Sequence, residues 1–318
     1  MYYIFGEPAG IFFGRELERA NALQVDEELR GWLMETPNDR LSLPMYVVAA
    51  KYCPTLRDVY MQYVKKQKIV LNKPMLTGRM YHEVMSQVIP MAKKYIYQHG
   101  VSSDFNLLEH MTASGSQMIE KILVENSRDI KILFKSGDFD TVKENMQKLW
   151  NFQAVQIVAS VDLVLSKFSL IDADSLVSKA IPISVEQKTD GSRIGLSNQL
   201  SIDAMQVPQT VIMDVKTGKE QSFHSLTVAG YALAYESENM KPVNLGCIIY
   251  PHFLASKSVP YVTKKFFLID NTLRLELLEE RKRKANIIKA GIDPGLPEDK
   301  TKCPTCGYFS VCYPGGIV

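Results

Sequence analysis

Residues 200–218 read Leu-Ser-Ile-Asp-Ala-Met-Gln-Val-Pro-Gln-Thr-Val-Ile-Met-Asp-Val-Lys-Thr-Gly. Residues 200–205 alternate apolar and polar, the period of a strand with one face buried. Residues 210–215 are β-rich and mostly apolar, as a strand covered on both faces would be. Between them, residues 206–209 contain Pro208 and can form the turn. The stretch therefore predicts a hairpin that sets Asp203 beside Asp214. Side chains two apart on a strand share a face, so Asp214 and Lys216 point together while Val215 turns into the core.

That arrangement has a chemistry. Two carboxylates are hard oxygen ligands suited to Mg²⁺ or Mn²⁺. A neighbouring ammonium can orient a water and offset charge building on a phosphate. The set fits phosphodiester hydrolysis. A second triplet, Glu186-Gln187-Lys188, competes with it, and an alternative register would use Asp162, Glu186 and Lys188. Taken alone, an acid–x–lysine triplet is more often an exposed strand face whose ion pair contributes little.

Outward from the hairpin, residues 181–186 alternate like a strand, and 245–250 and 261–269 read as two more. Residues 224–236 read as a helix. Residues 272–290 form a strongly charged helix closed by Gly291. On the N-terminal side, the first 40 residues read as a loop followed by short helices, and 45–67 as a helix around Cys53. A helical region from about 78 to 150 is interrupted at Pro90 and punctuated by Gly100 and Gly137. The order predicts an α/β (α+β) fold with a central mixed sheet. Four regions follow: 1–75, helical and carrying one cysteine; 76–150, helical; 151–270, the sheet core; and 271–318, a helix with a cysteine-rich tail.

Cys303-Pro304-Thr305-Cys306 and Cys312 cluster near the C-terminus, and Cys53 lies far upstream in Tyr52-Cys53-Pro54. Five cysteines are an odd number, which argues against a disulfide framework. Three clustered thiolates and one distant one can make a Cys₄ site for either an iron–sulfur cluster or zinc. The solitary fourth ligand leans toward iron–sulfur. Cys247, inside an apolar run, reads as a small buried hydrophobe.

The whole set resembles a known arrangement, the iron–sulfur branch of the RecB-like PD-(D/E)xK nucleases. Within it the chain is similar to the Cas-four CRISPR-associated exonucleases, archaeal Csa-one branch. The matching stretches are Tyr52 through Asp58, Gly78-Arg79-Met80-Tyr81-His82, Asp203, Asp214 through Gly218, Tyr231 through Glu236, and the terminal cysteines. They run in the family's order. The resemblance implies a restriction-endonuclease-like core. It implies a metal shell of His82, Asp203, Asp214 and the Val215 carbonyl, with Lys216 as the catalytic lysine and Tyr231 as the aromatic of the following helix. It also implies a 4Fe–4S cluster on Cys53, Cys303, Cys306 and Cys312. The expected activity is Mg- or Mn-dependent cleavage of single-stranded DNA or overhangs, by an exonuclease that can also cut internally, in CRISPR adaptation beside the integrase proteins. One departure stands out: Thr227 occupies the position of a family glutamine. The alternative it raises is a catalytically weak DNA-binding or scaffold subunit of the same complex.

The bulk numbers neither demand nor exclude such a partner. Lys and Arg total 37 against 35 Asp and Glu, a net charge of +2. Any DNA surface must then be local. Candidates are the basic run 281–284 and the trio Lys65, Lys66 and Lys68, although a solvated helix face is the plainer reading of 281–284. Tyr60, Tyr63, Tyr81 and Tyr231 could stack on bases, but are more often core. No apolar stretch is long enough to span a bilayer, and no secretory leader is evident, so a cytoplasmic protein is expected.

Overall fold

The computed structural model describes residues 9–101, 105–135, 137–168 and 170–316. Its centre is a five-stranded sheet in the order β1-β2-β3-β4-β5. The strands are β1 (Ile183–Thr189), β2 (Leu200–Gln206), β3 (Val211–Val215), β4 (Leu245–His252) and β5 (Tyr261–Leu268). Neighbours pair antiparallel except β3 and β4, which are parallel. A parallel pair needs a crossover, and a helix between the two strands supplies it.

The helices are α1 (Ala9–Asn21), α2 (Met45–Ala49), α3 (Arg57–Tyr63), α4 (Lys73–His99), α5 (Leu107–Glu125), α6 (Ser127–Leu133), α7 (Asp138–Leu165), α8 (Ala173–Ala180), α9 (Ser225–Asn239), α10 (Asn271–Ala290) and α11 (Phe309–Cys312). The architecture is the mixed sheet flanked by helices that the PD-(D/E)xK resemblance implies. Alternation along the strands divides the core into two. Val211, Met213 and Val215 of β3, with Leu245, Cys247 and Ile249 of β4, pack under α4, α5 and α7. Ile212, Ile248 and Tyr250 turn to the other side, under α9 and α2. All five β3 residues are buried, as their apolar run requires. Cys247 is fully buried, and burial pushes its thiol up to about 12. It is the packed hydrophobe expected.

Three local expectations need correction. The helix expected over 45–67 is two short helices, α2 and α3, with Cys53 in the loop between them. Pro54 and the left-handed Leu56 (φ 60°) keep the chain out of a continuous helix there. Pro90 does not interrupt α4, which runs unbroken through it. The ring sits on the exposed side, while Val84, Met85, Val88, Ile89 and Ala92 bury the other face. A proline inside a helix costs about 3 kcal/mol, and each large apolar side chain buried returns roughly 1.5–3 kcal/mol. Packing wins. Finally, helix persists well beyond residue 150: Trp150, Ala154, Ile157 and Val161 are buried at helical spacing, so α7 continues to Leu165. The expected boundary at 150/151 falls inside that helix. The first eight residues lie outside those described.

Candidate active site

Across β2 and β3 the register pairs Ala204 with Met213. One step further, Asp203 stands opposite Asp214, as the hairpin reading requires. Asp203 Oδ2 accepts a bond from the Val215 N–H at 2.9 Å. That bond fixes the carboxylate against the end of β3. The Val215 side chain packs under the helical layer. Lys216 bonds Asp214 Oδ1 at 3.2 Å, and its Nζ lies 2.8 Å from Oδ2, outside hydrogen-bonding alignment.

On the other side of β2 stands β1, where Val185 and Gln187 pair with Ala204 and Ile202. Glu186, between them, faces Asp203. Its backbone is left-handed, φ 51°, a strained state for a non-glycine residue. Strain of this kind persists only where surrounding contacts hold it, and it concentrates at functional sites. The Ser201 hydroxyl donates to Glu186 Oε2 at 2.6 Å, and Lys188 donates to that hydroxyl at 3.1 Å. The competing triplet is thus split. Glu186 enters the site, Lys188 stays on the exposed face, and Asp162 is exposed on α7.

His82 comes from α4. Asn72 caps this helix, accepting from the Met75 N–H at 3.0 Å, and Lys73-Pro74 suit its first turn. Gly78 allows the helix to press on the loop after β3: a Cβ there would meet Thr217 Oγ1 at 3.1 Å. One turn later His82 Nε2 reaches Asp203 Oδ1 at 3.1 Å and Glu186 Oε1 at 3.5 Å. The ligand atoms of His82, Glu186 and Asp203 lie within 4.8 Å of one another.

The electrostatics are unbalanced. The hydrogen bond to Asp203, backed by the charges of Asp203, Glu186 and Asp214, raises the His82 pKa to about 9 against the pull of burial. Burial raises Asp214 to about 6, with Asp203 adding to the rise and Lys216 and His82 opposing it. Burial also opposes the Lys216 charge, but Asp214 and Asp203 outweigh it and the lysine is held protonated. Glu186 Oε1 and Asp214 Oδ2 are buried without a hydrogen bond among the described residues. Each instead faces a cation outside hydrogen-bond alignment, His82 Nε2 for Glu186 and Lys216 Nζ for Asp214. The ligand atoms of His82, Glu186 and Asp203 form a donor set that fits a hard divalent cation. Tyr231, buried on α9, has its phenol driven far up, by burial first and then by the charges of Asp214, Asp203 and Glu186. It remains an O–H donor beside them. Thr227 is buried one turn earlier on the same helix.

The thiols of Cys53, Cys303, Cys306 and Cys312 are free and half-buried. The tail carrying the last three docks onto the chain leading into α4. The Val70 N–H donates to the Gly307 carbonyl at 2.9 Å, and Asn72 Nδ2 donates to the Thr305 carbonyl at 2.8 Å. Gly307 is needed for this approach, since a Cβ would fall 2.2 Å from Ile69. The Tyr308 N–H points to Cys306 Sγ at 3.4 Å, the kind of bond that stabilises a ligating thiolate. Burial raises Cys306 and Cys312. The charges of the other cysteines raise them further: Cys312 and Cys53 act on Cys306, and Cys53 and Cys303 on Cys312. Four free thiols whose anions would raise one another are a donor set chemically suited to a Cys₄ metal group.

The family model for CRISPR-associated exonuclease Csa1 matches residues 11–314. The chain belongs to the Csa1 family of CRISPR-associated exonucleases. A protein of that name from Saccharolobus solfataricus is 34% identical over 293 residues, covering 91% of this chain and 93% of its own. Another, from Thermoproteus tenax, is 27% identical over 307 residues, 94% of this chain and 96% of its own. The family resemblance drawn from the motifs is therefore correct. Among the family-like residues, the structure gathers His82, Asp203, Asp214, Lys216 and Tyr231. It adds Glu186, which the implied metal shell omitted. The signal for Glu186 was its own acid–x–lysine triplet on a neighbouring strand.

Lys282 and Arg283 of the basic run on α10 lie on the solvated face expected, but the ends of the run are internal. Arg281 is buried against Asp39 and the carbonyls of Gly195 and Leu41, and Lys284 is buried against the Val48 and Ala50 carbonyls. These two residues pin α10 to the N-terminal segment and are neither a DNA track nor a solvated face. Tyr60, Tyr81 and Tyr231 are core, as their plainer reading held. No described helix is long and apolar enough to cross a membrane.

Proposed function

We propose that the chain is a divalent-metal-dependent deoxyribonuclease that degrades single-stranded DNA or single-stranded overhangs from an end. The observation that carries this reading is the convergence of His82, Glu186, Asp203 and Asp214, drawn from α4 and three adjacent strands, with Lys216 at their edge. Bound Mg²⁺ or Mn²⁺ would supply Lewis acidity toward a phosphate oxygen and lower the pKa of a water. His82, Glu186, Asp203, Asp214 and the Val215 carbonyl would hold it. The chain's own residues do the rest. Asp203 is aimed by the Val215 N–H, and Glu186 by Ser201. Lys216 stays protonated beside Asp214, where its ammonium can pair with a phosphate oxygen and stabilise charge as it develops.

The four cysteines would hold a 4Fe–4S cluster, tying the loop before α3 to the C-terminal tail. That role is structural, since the tail also braces Asn72 at the start of the His82 helix. Iron content and brown colour should disappear together with several degrees of melting temperature in Cys303→Ala. An unchanged melt in a colourless variant would remove the structural role, and zinc in place of iron would correct the cofactor. The family's association with CRISPR supports a place in adaptation, trimming spacer precursors for the integrase proteins.

The test is an assay on end-labelled single-stranded DNA with Mn²⁺, comparing anaerobically purified wild type with Lys216→Ala. Loss of roughly 10²–10³-fold in rate is expected. Degradation surviving in the variant would remove Lys216 from the site. A second reading, a DNA-binding scaffold that keeps the nuclease fold, is favoured by Thr227, buried where the family glutamine would stand. Robust turnover by the purified chain alone would eliminate it.

A further inference from the structure

Between the acid–lysine site and the cysteines lies a group of residues neither needs. Tyr52 precedes Cys53, yet 49% of its surface is open to solvent. Its ring meets Phe223 edge to face, with centroids 5.0 Å apart at 86°. The Lys302 ammonium sits over both rings, 5.8 Å from the Tyr52 centroid and 5.7 Å from that of Phe223. Gln221 Oε1 accepts from it at 3.3 Å. Three chain segments thus meet here: the loop carrying the first cysteine, the exit from the lysine strand, and the residue before Cys303.

A purely structural tyrosine would bury its ring or bond its hydroxyl. Tyr52 does neither among the described residues. Phe223, beneath it, is buried and gives the ring a packed base. The platform also borders the site by chain connection, since Phe223 lies on the segment that runs from Lys216 at the end of β3 into α9. An open aromatic ring on a buried base, with an ammonium above it, matches what an unpaired nucleotide offers: a π face and a phosphate. Duplex DNA keeps its bases stacked inside and cannot use such a ring.

We infer that Tyr52, braced by Phe223 and flanked by Lys302, stacks on a nucleobase of single-stranded DNA adjoining the phosphate at Lys216. The inference rests on the nuclease reading and names the part of the surface that selects unpaired strands. It also gives the cysteine lobe a task at the substrate. Two members of the lobe's cysteine set have a platform residue directly before them, Tyr52 before Cys53 and Lys302 before Cys303.

The test uses the full chain with its metal group intact and a single-stranded oligodeoxynucleotide carrying 2-aminopurine near one end, with Ca²⁺ replacing Mn²⁺. Wild type and Tyr52→Phe should quench the probe on binding. Tyr52→Leu should lose the quench and bind about 10-fold more weakly, within the 1–3 kcal/mol typical of base–aromatic stacking. Its affinity for a duplex of the same sequence should not change. Lys302→Gln should weaken single-strand binding and lower the salt dependence by about one ion. Wild-type quench and affinity in Tyr52→Leu would overturn the inference, as would an equal loss on duplex or a matching loss in Tyr52→Phe. Cleavage of single strands by wild type in Mn²⁺, with Tyr52→Leu unaffected, would sink the platform and leave the nuclease standing. A wild type that neither binds nor cleaves single strands would sink both.

Discussion

Two carboxylate–cation clusters lie on this one scaffold, and they are built in opposite ways. Around Glu236 at the end of α9, every charge is answered. Its oxygens accept from Arg30 at 2.8 Å, from Arg274 at 2.7 and 2.9 Å, and from the N–H groups of Gly31 and Val243 at 3.0 and 2.9 Å. Glu236 and Arg274 are fully buried, and Arg274, with the N–H groups of Gly31 and Val243, holds the carboxyl below its usual range against the pull of burial. At the sheet edge, four acidic or basic ligands crowd together, two buried oxygens lack hydrogen bonds, and Glu186 has a strained backbone. Charge satisfied by the chain itself marks a joint. Acids crowded against one another around few cations mark a place suited to hold something else.

The sharpest way to break this contrast is to cut each cluster in turn. Glu236→Ala should cost about 3–5 kcal/mol, because it strands two arginines in the core. Chemical denaturation measures it, and a cost below 1 kcal/mol would reduce the joint to an ordinary contact. Lys216→Ala should do the reverse, lowering turnover roughly 10²–10³-fold while leaving the denaturation midpoint nearly unchanged. A large loss of stability there would mean that the site holds the fold.

A smaller effect tests what the open oxygens are for. Excess Mn²⁺ should raise the melting temperature of the wild type, by the equivalent of about 2.7 kcal/mol at a hundredfold excess over the dissociation constant. Glu186→Gln should blunt that shift. An equal shift in both proteins would remove Glu186 from the ligand set. The smallest effect concerns His224, at the foot of α9. Burial, and then the Lys216 charge, depress its pKa to about 4, and its Nδ1 lies 2.9 Å from the Tyr250 hydroxyl. The folded protein therefore excludes a proton that the unfolded chain accepts near pH 6.5. This group leaves stability untouched above pH 6.5 and erodes it as pH falls toward 4. His224→Gln should flatten that part of the melting-temperature profile. An unaltered slope would show that another group sets it.

Much of this was written in the order of residues. Period-2 alternation placed β1 and β2 within a few residues of where they lie, the run 210–215 announced a strand covered on both faces, and 245–250 and 261–269 were readable as two further strands. The hairpin between β2 and β3 was readable because its turn is short and local, so Asp203 and Asp214 could be paired from spacing alone. The family motifs, each weak singly, gained force from their fixed order along the chain. Sequence could not weigh Pro90 against the apolar face around it, because the cost is local and the compensation comes from α5 and α7. It could not see that Arg281 and Lys284 point inward, because a charged residue looks solvated until the carbonyls that receive it are in place. Glu186 was visible as an acid, but its partner is a histidine on a helix roughly a hundred residues away.

The sequence by itself determined the class of fold, the hairpin with its two aspartates and lysine, and the cysteine set, because each depends on neighbours a few residues apart or on ordered motifs. Only the tertiary structure decided which carboxylates share a site, which basic residues are joints, and that Tyr52, Phe223 and Lys302 meet. Those are matters of burial and of contact between distant segments, and burial is what turns a charge or a ring from a surface ornament into a partner.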